Sequence, residues 1–291
     1  MTATIIDGSA IAAKLRERIG DRVRRVRARG GAVRLDALIV DSGDSASRVY
    51  AGSQGKRCEE LGIEYRLHEL RRGSDEDDIA GRVLVLNETD ACLAMMVHLP
   101  LPDGIDPYRI QRLIDSDKDV EGVNPANIGN IVYGRSSLAP CTALATITML
   151  EEVGVDLRGK RCVVVGAGDV VGKPIAVLLM RHEATVISCN IHTNGLVDLC
   201  ASADVLIAAA GAPGLITPEM VRKGAVVIDV GVNRVKGEDG KMRTVGDVDF
   251  EGVSRVASML SPVPGGVGPM TVAMLLSNVV LAAERRIGLI A

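Results

Sequence analysis

Cys162-Val163-Val164-Val165-Gly166-Ala167-Gly168-Asp169-Val170-Val171-Gly172 is the stretch that decides the fold. Four apolar residues of strand type stop at a glycine turn, and Gly172 stands where a helical pattern over 171–182 begins. A strand, a Gly-x-Gly-x-x-x-Gly turn and a helix make up a phosphate-cradling βα unit, where glycines let the backbone approach an anion and the helix start offers free N–H groups. The alternation continues outward on both sides. Apolar runs at 35–40, 92–97, 184–188, 205–209 and 225–230 fall between helical patterns near 9–28, 46–61, 75–87, 143–153 and 217–223. Runs apolar on every position imply strands covered on both faces, hence parallel sheets with helices on each side. The fold class is α/β. A break near 154–160 marks entry to a Rossmann-type dinucleotide-binding unit, and its exit lies near 262–268.

Composition narrows the function. A chain of 291 residues that is 47% hydrophobic can fill one large or two medium cores. A net charge of −3 provides no basic field for nucleic acid. The opening MTATIIDGSA has neither a basic segment before a long apolar core nor an Arg-rich amphipathic pattern, and no apolar stretch of spanning length is free of charges or glycines. A cytoplasmic protein without a membrane partner is expected. The six cysteines, at 58, 92, 141, 162, 189 and 200, form no C-x-x-C pair and read as reduced core thiols. The four histidines, at 68, 98, 182 and 192, lack metal-ligand spacing, so no metal site is expected. With one phenylalanine, four tyrosines and no tryptophan, the cores must be aliphatic, and a tyrosine invites a functional question.

A second stretch, Val263-Pro264-Gly265-Gly266-Val267-Gly268-Pro269-Met270-Thr271, opens an apolar C-terminal helix with backbone that can approach a flat ring or a phosphate closely. It resembles the C-terminal signature of the methylenetetrahydrofolate dehydrogenase/cyclohydrolase family, the FolD type of one-carbon enzyme. The resemblance runs nearly end to end. Ser47-Arg48-Val49-Tyr50 with Lys56, Val97-His98-Leu99-Pro100-Leu101-Pro102, Lys118-Asp119-Val120-Glu121-Gly122 and Pro140-Cys141-Thr142 follow family blocks in family order. So do Val171-Gly172-Lys173-Pro174, Ile228–Arg234 and Val245–Asp249. The resemblance implies a folate-binding catalytic domain over 1–143 plus 267–291 and a Rossmann NAD(P) domain over 144–266. The last helix returns to the first domain, and two chains pair as a homodimer through the cofactor domain.

It also implies site residues. Tyr50 packs against the aminobenzoyl part of the folate, with Leu99, Pro100, Pro264, Gly265, Gly266 and Thr271 completing the cleft and Lys56 among the catalytic candidates. Glu121 stands where the family usually has an aspartate that accepts hydrogen bonds from the pterin edge. Gln54 occupies the place of a lysine central to cyclohydrolase chemistry, and His98 replaces the usual glutamine. The cofactor lies along Thr142, Gly166, Ala167, Gly168, Val171 and Gly172, and meets Asn190, Ile191, Gly211, Val232 and Gly266. Ala167 and Gly168 stand where an arginine and a serine are usual, and that arginine helps hold the 2′-phosphate of NADP. Ile191 likewise replaces a residue that is often polar. A phosphate dianion left without cations or donors costs several kcal/mol, so NAD is the expected cofactor. NADP stays open, because no acidic residue follows to grip the ribose, and Lys173, Arg181 or His192 could serve a phosphate.

The two family reactions demand different things of a protein. Hydride removal from 5,10-methylenetetrahydrofolate leaves a cation stabilised by both flanking nitrogens and needs positioning more than acid–base chemistry. Hydrolysis of the methenyl product needs a proton mover, typically worth 10²–10⁴-fold, and an amide at position 54 cannot supply one. The leading expectation is an NAD-preferring dehydrogenase with weak or absent cyclohydrolase activity. The alternatives are a bifunctional enzyme with His98 as base, a one-carbon transfer enzyme on the same fold, and a noncatalytic folate-binding paralogue.

Overall fold

The structure, a computed structural model, describes residues 2–41, 45–135, 138–237 and 240–290. Its elements begin with β1 (Thr4–Ile5), α1 (Gly8–Ala28), β2 (Arg34–Val40), α2 (Ser45–Glu60), β3 (Glu64–Leu70), α3 (Glu76–Glu88), β4 (Met95–Val97), α4 (Pro107–Gln111) and α5 (Pro125–Val132). There follow α6 (Cys141–Glu152), β5 (Arg161–Val165), α7 (Gly172–Arg181), β6 (Thr185–Cys189), α8 (Leu196–Ala201), β7 (Val205–Ala208) and β8 (Val226–Asp229). The chain closes with β9 (Asn233–Lys236), β10 (Met242–Val245), α9 (Phe250–Val253), β11 (Met259–Leu260) and α10 (Val267–Arg286). Where the pattern at 217–223 predicts an α-helix, a short 3-10 turn spans Pro218–Met220.

Two compact units form, each from two segments: Met1–Lys14 with Thr142–Met274, and Leu15–Cys141 with Leu275–Ala291. The first is built on a six-stranded parallel sheet in the order β1-β11-β8-β7-β5-β6. β7 and β8 are buried along their whole length, as the apolar runs at 205–208 and 226–228 require, with the Asp229 carboxylate buried at the end of β8. Val163, Leu206, Val227 and Leu260 are inaccessible in the core of this unit. The strand order reverses at β5, between β6 and β7. Such a switch point leaves a crevice at the carboxyl ends of the strands.

Residues 1–14 group with this unit and not with 15–141, unlike the expected division at 1–143 and 144–266. The reason is backbone pairing: Thr4 and Ile5 lie parallel to Met259 and Leu260, and the Ala3 amide donates to Ser254 O at 2.7 Å. A two-residue strand is too short to show any period in the sequence.

The second unit holds a three-stranded parallel sheet, β3-β2-β4. All seven residues of β2 are buried, including Arg34 and Asp36, which pair at 2.5 Å while His68 Nε2 meets the same carboxylate at 2.7 Å. α3 starts on a reciprocal capping box between Asp75 and Asp78. Its far end is held by Lys118, whose ammonium reaches the carbonyls of Leu86, Asn87 and Thr89 at 3.2, 2.5 and 3.2 Å. The cation thereby satisfies carbonyls that the helix end leaves open. The residues beside Lys118 continue the sheet, since Met95 bridges Asp119 in parallel and its amide donates to Lys118 O at 2.7 Å.

α10 enters the second unit from Leu275 onward, as the expected return of the last helix requires. Asn278 donates to Val120 O and Ala139 O at 2.9 and 3.1 Å, and Glu284 takes Arg22 at 2.7 Å. By length and hydropathy this helix could cross a membrane, yet 67% of its apolar window is buried within the protein, which makes it a core helix.

Candidate active site

In the first unit the glycine turn after β5 has one construction for its outer glycines and another for the middle one. Gly166 has φ +109°, and a side chain there would overlap Ala209 O at the end of β7. A Cβ on Gly172 would overlap Gly166 O, so the start of α7 can close on the turn only without one. Gly168 meets nothing within 4 Å and faces open space. Val171 precedes the helix with no side-chain cap; the Lys173 amide is turned to Gly168 O at 3.0 Å and Pro174 has no N–H, so an anion would meet the bare turn and the Gly172 amide. This cradle fits the pyrophosphate of a dinucleotide. The cofactor, when bound, supplies the hydride acceptor.

The neighbouring residues offer little for a further phosphate. Ile191 is 94% exposed. Asn190 is exposed, but its Oδ1 already accepts the His192 amide at 2.9 Å, and Lys173 is paired with Asp169. Val232 is 67% exposed beside the β9–β10 hairpin. Thr142 and Thr271 approach each other at 3.4 Å between hydroxyls.

Two carboxylates that carried no assigned role in the sequence organise this unit's ligand-facing loops. Asp247, fully buried, accepts the backbone amides of Ala210, Gly211 and Ala212 at 2.6, 2.9 and 2.9 Å and the Asn233 amide at 2.8 Å. Asp229 accepts those of Gly231, Asp247 and Val248, each at 3.0 Å. Burial, with the nearby Asp247 charge, pushes the Asp229 carboxyl up to about 6 against the pull of those amides. A Cβ on Gly246 would overlap the Asp229 carboxylate, and one on Gly231 that of Asp247. The signal in the sequence was therefore a glycine beside each acid's contact, in blocks legible only as family signatures.

The double glycine at 265–266 serves the chain as well as any ligand. Gly265 takes φ +103° and its carbonyl accepts the Ser9 amide at 3.1 Å, while a Cβ on Gly8 would overlap Gly266 O. Pro264 is exposed, and the Val263-Pro264 bond is cis.

The second unit gathers Gln54, His98 and Glu121 around the end of β4. Gln54 is 2% exposed; its Nε2 donates to Met96 Sδ at 3.1 Å and its Oε1 has no partner among the described residues. His98 Nε2 lies 3.3 Å from the hydroxyl of Tyr65, whose ring fits under α2 because residue 55 is glycine: a Cβ there would sit 2.9 Å from Tyr65 Cδ1. Burial pushes the His98 imidazole down to about 4, so it is neutral at physiological pH. The Glu121 carboxyl is met by the backbone of Val97, and its Oε2 is buried without a partner among the described residues. Burial, then the Asp119 charge, pushes Glu121 up to about 7. Asp119 itself is inaccessible and accepts the amides of Gly122 and Asn124 and Asn127 Nδ2 at 3.1, 2.7 and 3.0 Å.

Lys56 does not join this group. Two residues past Gln54 on one helix, it points about 200° away and is exposed. Leu99 is 50% exposed and Pro100 follows it through a cis bond. The side chain of Tyr50 lies outside the described residues. Tyr65 was missed in the sequence, although it is one of only four tyrosines.

Comparison with known proteins places these parts. Residues 6–121 match the model of the tetrahydrofolate dehydrogenase/cyclohydrolase catalytic domain, and residues 140–287 match that of its NAD(P)-binding domain. Over 285 residues the chain is 44% identical to the bifunctional protein FolD of Moorella thermoacetica, covering 98% of this chain and 100% of that protein. The bifunctional FolD structure from Campylobacter jejuni is 39% identical with a TM-score of 0.92, over 98% of this chain and 99% of that one. A Trypanosoma brucei dehydrogenase–cyclohydrolase, solved with NADP and an inhibitor, is 34% identical with a TM-score of 0.90, over 99% of each chain. With both domain models laid end to end and such relatives matched along nearly their full length, the chain belongs to the tetrahydrofolate dehydrogenase/cyclohydrolase family.

Proposed function

We propose that this protein oxidises 5,10-methylenetetrahydrofolate to the 5,10-methenyl form with a nicotinamide cofactor, and that it also hydrolyses the methenyl form to 10-formyltetrahydrofolate. The carrying observation is likeness across both units to proteins named as bifunctional. It favours the two-activity alternative over the weak-cyclohydrolase expectation. The residues divide the work by their chemistry. The bare turn at Gly166–Gly172 receives the dinucleotide, and Glu121, with Leu99 and Pro100 just past the Val97 backbone that it meets, receives the folate. The side chains around β4 exclude water from part of the site, as the burial of Gln54 and His98 indicates.

One observation keeps the single-activity reading in play: the buried residue at position 54 is an amide that cannot titrate. A spectrophotometric assay that follows methenyltetrahydrofolate separates the two. Formation with either nicotinamide cofactor, followed by decay well above the buffer rate, is the expected result. Formation with decay at the buffer rate would leave a dehydrogenase alone, and no formation would refute the whole reading.

The preferred cofactor in this reading is NAD. Support comes from Ala167, the fully exposed aliphatic Ile191 and the engagement of Lys173 by Asp169. A homodimer through the cofactor unit is part of the same proposal. β6 ends the sheet with an edge unpaired among the described residues and carrying the half-buried Val186 and Ile187, and such edges invite a partner. Sedimentation at two protein concentrations tests it, with a monomer at both as the contrary result.

A further inference from the structure

Asn194-Gly195 is the one Asn-Gly step in the sequence, and neither proposed reaction uses it. It follows the loop at 190–193 and precedes α8, whose N-cap is Gly195 at φ +66°. Both residues are exposed in a turn. The loop before them is closed on itself, since the Asn190 amide donates to Thr193 Oγ1 at 2.8 Å and the Thr193 amide to Asn190 O at 3.0 Å. Those bonds stop at residue 193. Among the described residues nothing holds the Asn194 side chain or accepts from the Gly195 amide, and a Cβ built on Gly195 would meet nothing within 4 Å.

The other asparagines each lack a part of this setting. Asn124 precedes a proline, which has no N–H, and Asn130 precedes a β-branched isoleucine. Asn127 and Asn278 are buried donors, and the side chains of Asn87, Asn190 and Asn233 are hydrogen-bonded.

We propose that Asn194 is a site of spontaneous modification in the folded protein, converting to aspartate and isoaspartate through a succinimide ring. Gly195 N gives its proton to hydroxide and bonds to Asn194 Cγ, and the side-chain nitrogen leaves as ammonia, taking up a proton. Water then opens the ring. Addition at Cγ breaks the new bond to nitrogen and leaves aspartate; addition at the Asn194 carbonyl carbon breaks the old peptide bond and leaves isoaspartate, with the main chain running through Cγ. The balance is one water consumed and one ammonium released for each carboxylate formed, with no change of oxidation state. Glycine suits the step because it has no Cβ to shield the attacking nitrogen.

Conversion puts a negative charge beside the cofactor crevice. The end of β6 is tied to the glycine turn, since the Gly166 amide donates to Cys189 O at 2.9 Å, and residues 190–194 continue from there. A carboxylate at position 194 opposes the extra phosphate of NADP more than it opposes NAD. That consequence rests on the dinucleotide reading of this unit; the modification does not.

The test holds the full-length protein at mildly alkaline pH and body temperature for days, folded or in urea, and maps its peptides by mass, with isoaspartate counted by enzymatic methyl transfer. In the folded protein the Asn194 peptide should lose its native mass before any other asparagine peptide, faster at higher pH, and Asn194→Gln should abolish the loss. Asn194 intact in the folded protein after the urea-unfolded chain has converted it would overturn the proposal. So would an earlier loss at another asparagine. Asn194→Asp, which fixes one product, should weaken NADP binding relative to NAD binding about twofold or more at low ionic strength and less as salt rises, read by calorimetry without substrate. An unchanged ratio would overturn the link to the cofactor, whereas a wild type that binds neither nucleotide would refute the dinucleotide reading instead.

Discussion

Asp247→Asn tests whether a buried carboxylate shapes the loop at the end of β7. The wild-type side chain accepts three backbone amides and one side-chain amide at 2.6–2.9 Å from an inaccessible position. An isosteric amide has one acceptor oxygen. If that oxygen stays toward Ala210 and Gly211, the new NH2 faces the Ala212 amide and Asn233; Asn233 can flip to accept from it, but Ala212 keeps an unanswered N–H. One lost charge-assisted bond costs about 1.5–3 kcal/mol. Weakening the two remaining bonds from charged to neutral adds roughly 1 kcal/mol. Relief of the repulsion between Asp247 and Asp229 gives back roughly 1 kcal/mol. The net loss should be about 1.5–3 kcal/mol by urea denaturation, with a raised KM for the cofactor because Gly211 lies in the loosened loop. A second signature comes from Asp229. Its folded-state value of about 6 lies above the ordinary 3.8, so the folded protein binds more protons and loses stability as pH rises from about 4 to about 6. Removing the Asp247 charge should shrink that loss. A destabilisation below about 0.5 kcal/mol with unchanged cofactor KM would falsify the reasoning.

Three further outcomes are expected. Gly172→Ala should raise the cofactor KM by about tenfold or more and destabilise the fold by about 2 kcal/mol, since its methyl meets the backbone carbonyl of Gly166; normal cofactor kinetics would contradict the cradle. The kcat/KM with NAD should exceed that with NADP by about tenfold, and Ala167→Arg with Ile191→Ser should narrow or reverse the ratio; an NADP preference in the wild type would count against it. His98, held at about 4 by burial below its ordinary 6.5, leaves the unfolded chain binding more protons in that window, so stability falls as pH drops from about 6.5 to about 4. His98→Gln should remove about 3 kcal/mol of that acid sensitivity, measured as the difference between the variants' urea stabilities at each pH; identical profiles would show the ring already solvated.

Among the strands, the sequence disclosed those built on apolar runs and hid those that are charged or very short. β2, β5, β7 and β8 are mostly Val, Ile, Leu and Ala, interrupted by Arg34 and Asp36 in β2, Arg161 and Cys162 in β5 and Asp229 at the end of β8, and the apolar pattern finds each to within about two residues. β3 escaped because Glu-Tyr-Arg-Leu-His-Glu-Leu carries charge on a half-exposed strand, and β1 and β11 because two residues show no period. Within the site, the glycines at 166 and 172 were readable because one strand and one helix bracket them. The contacts of Asp247 were not, since the loop residues 210–212 that it holds lie far from it in sequence and are apolar or glycine. Nor could spacing foretell that His98 is buried to neutrality beside Tyr65, because that depends on α2 and β3 meeting through Gly55.

The pairing of β1 with β11 reaches beyond architecture into how the chain is made. Thr4 leaves the ribosome roughly 250 residues before its partner Met259, and closing so long a loop comes late in folding. The second unit waits too, because Asn278 and Glu284 arrive after everything they bind. A chain stopped anywhere before residue 259 therefore has neither sheet edge nor closing helix, and yields no self-sufficient half. Expressing the dinucleotide unit alone would require a rearranged gene that joins residues 1–14 to 142–274 through a new linker, whereas a simple cut at residue 142 would leave the edge of β11 bare to other chains.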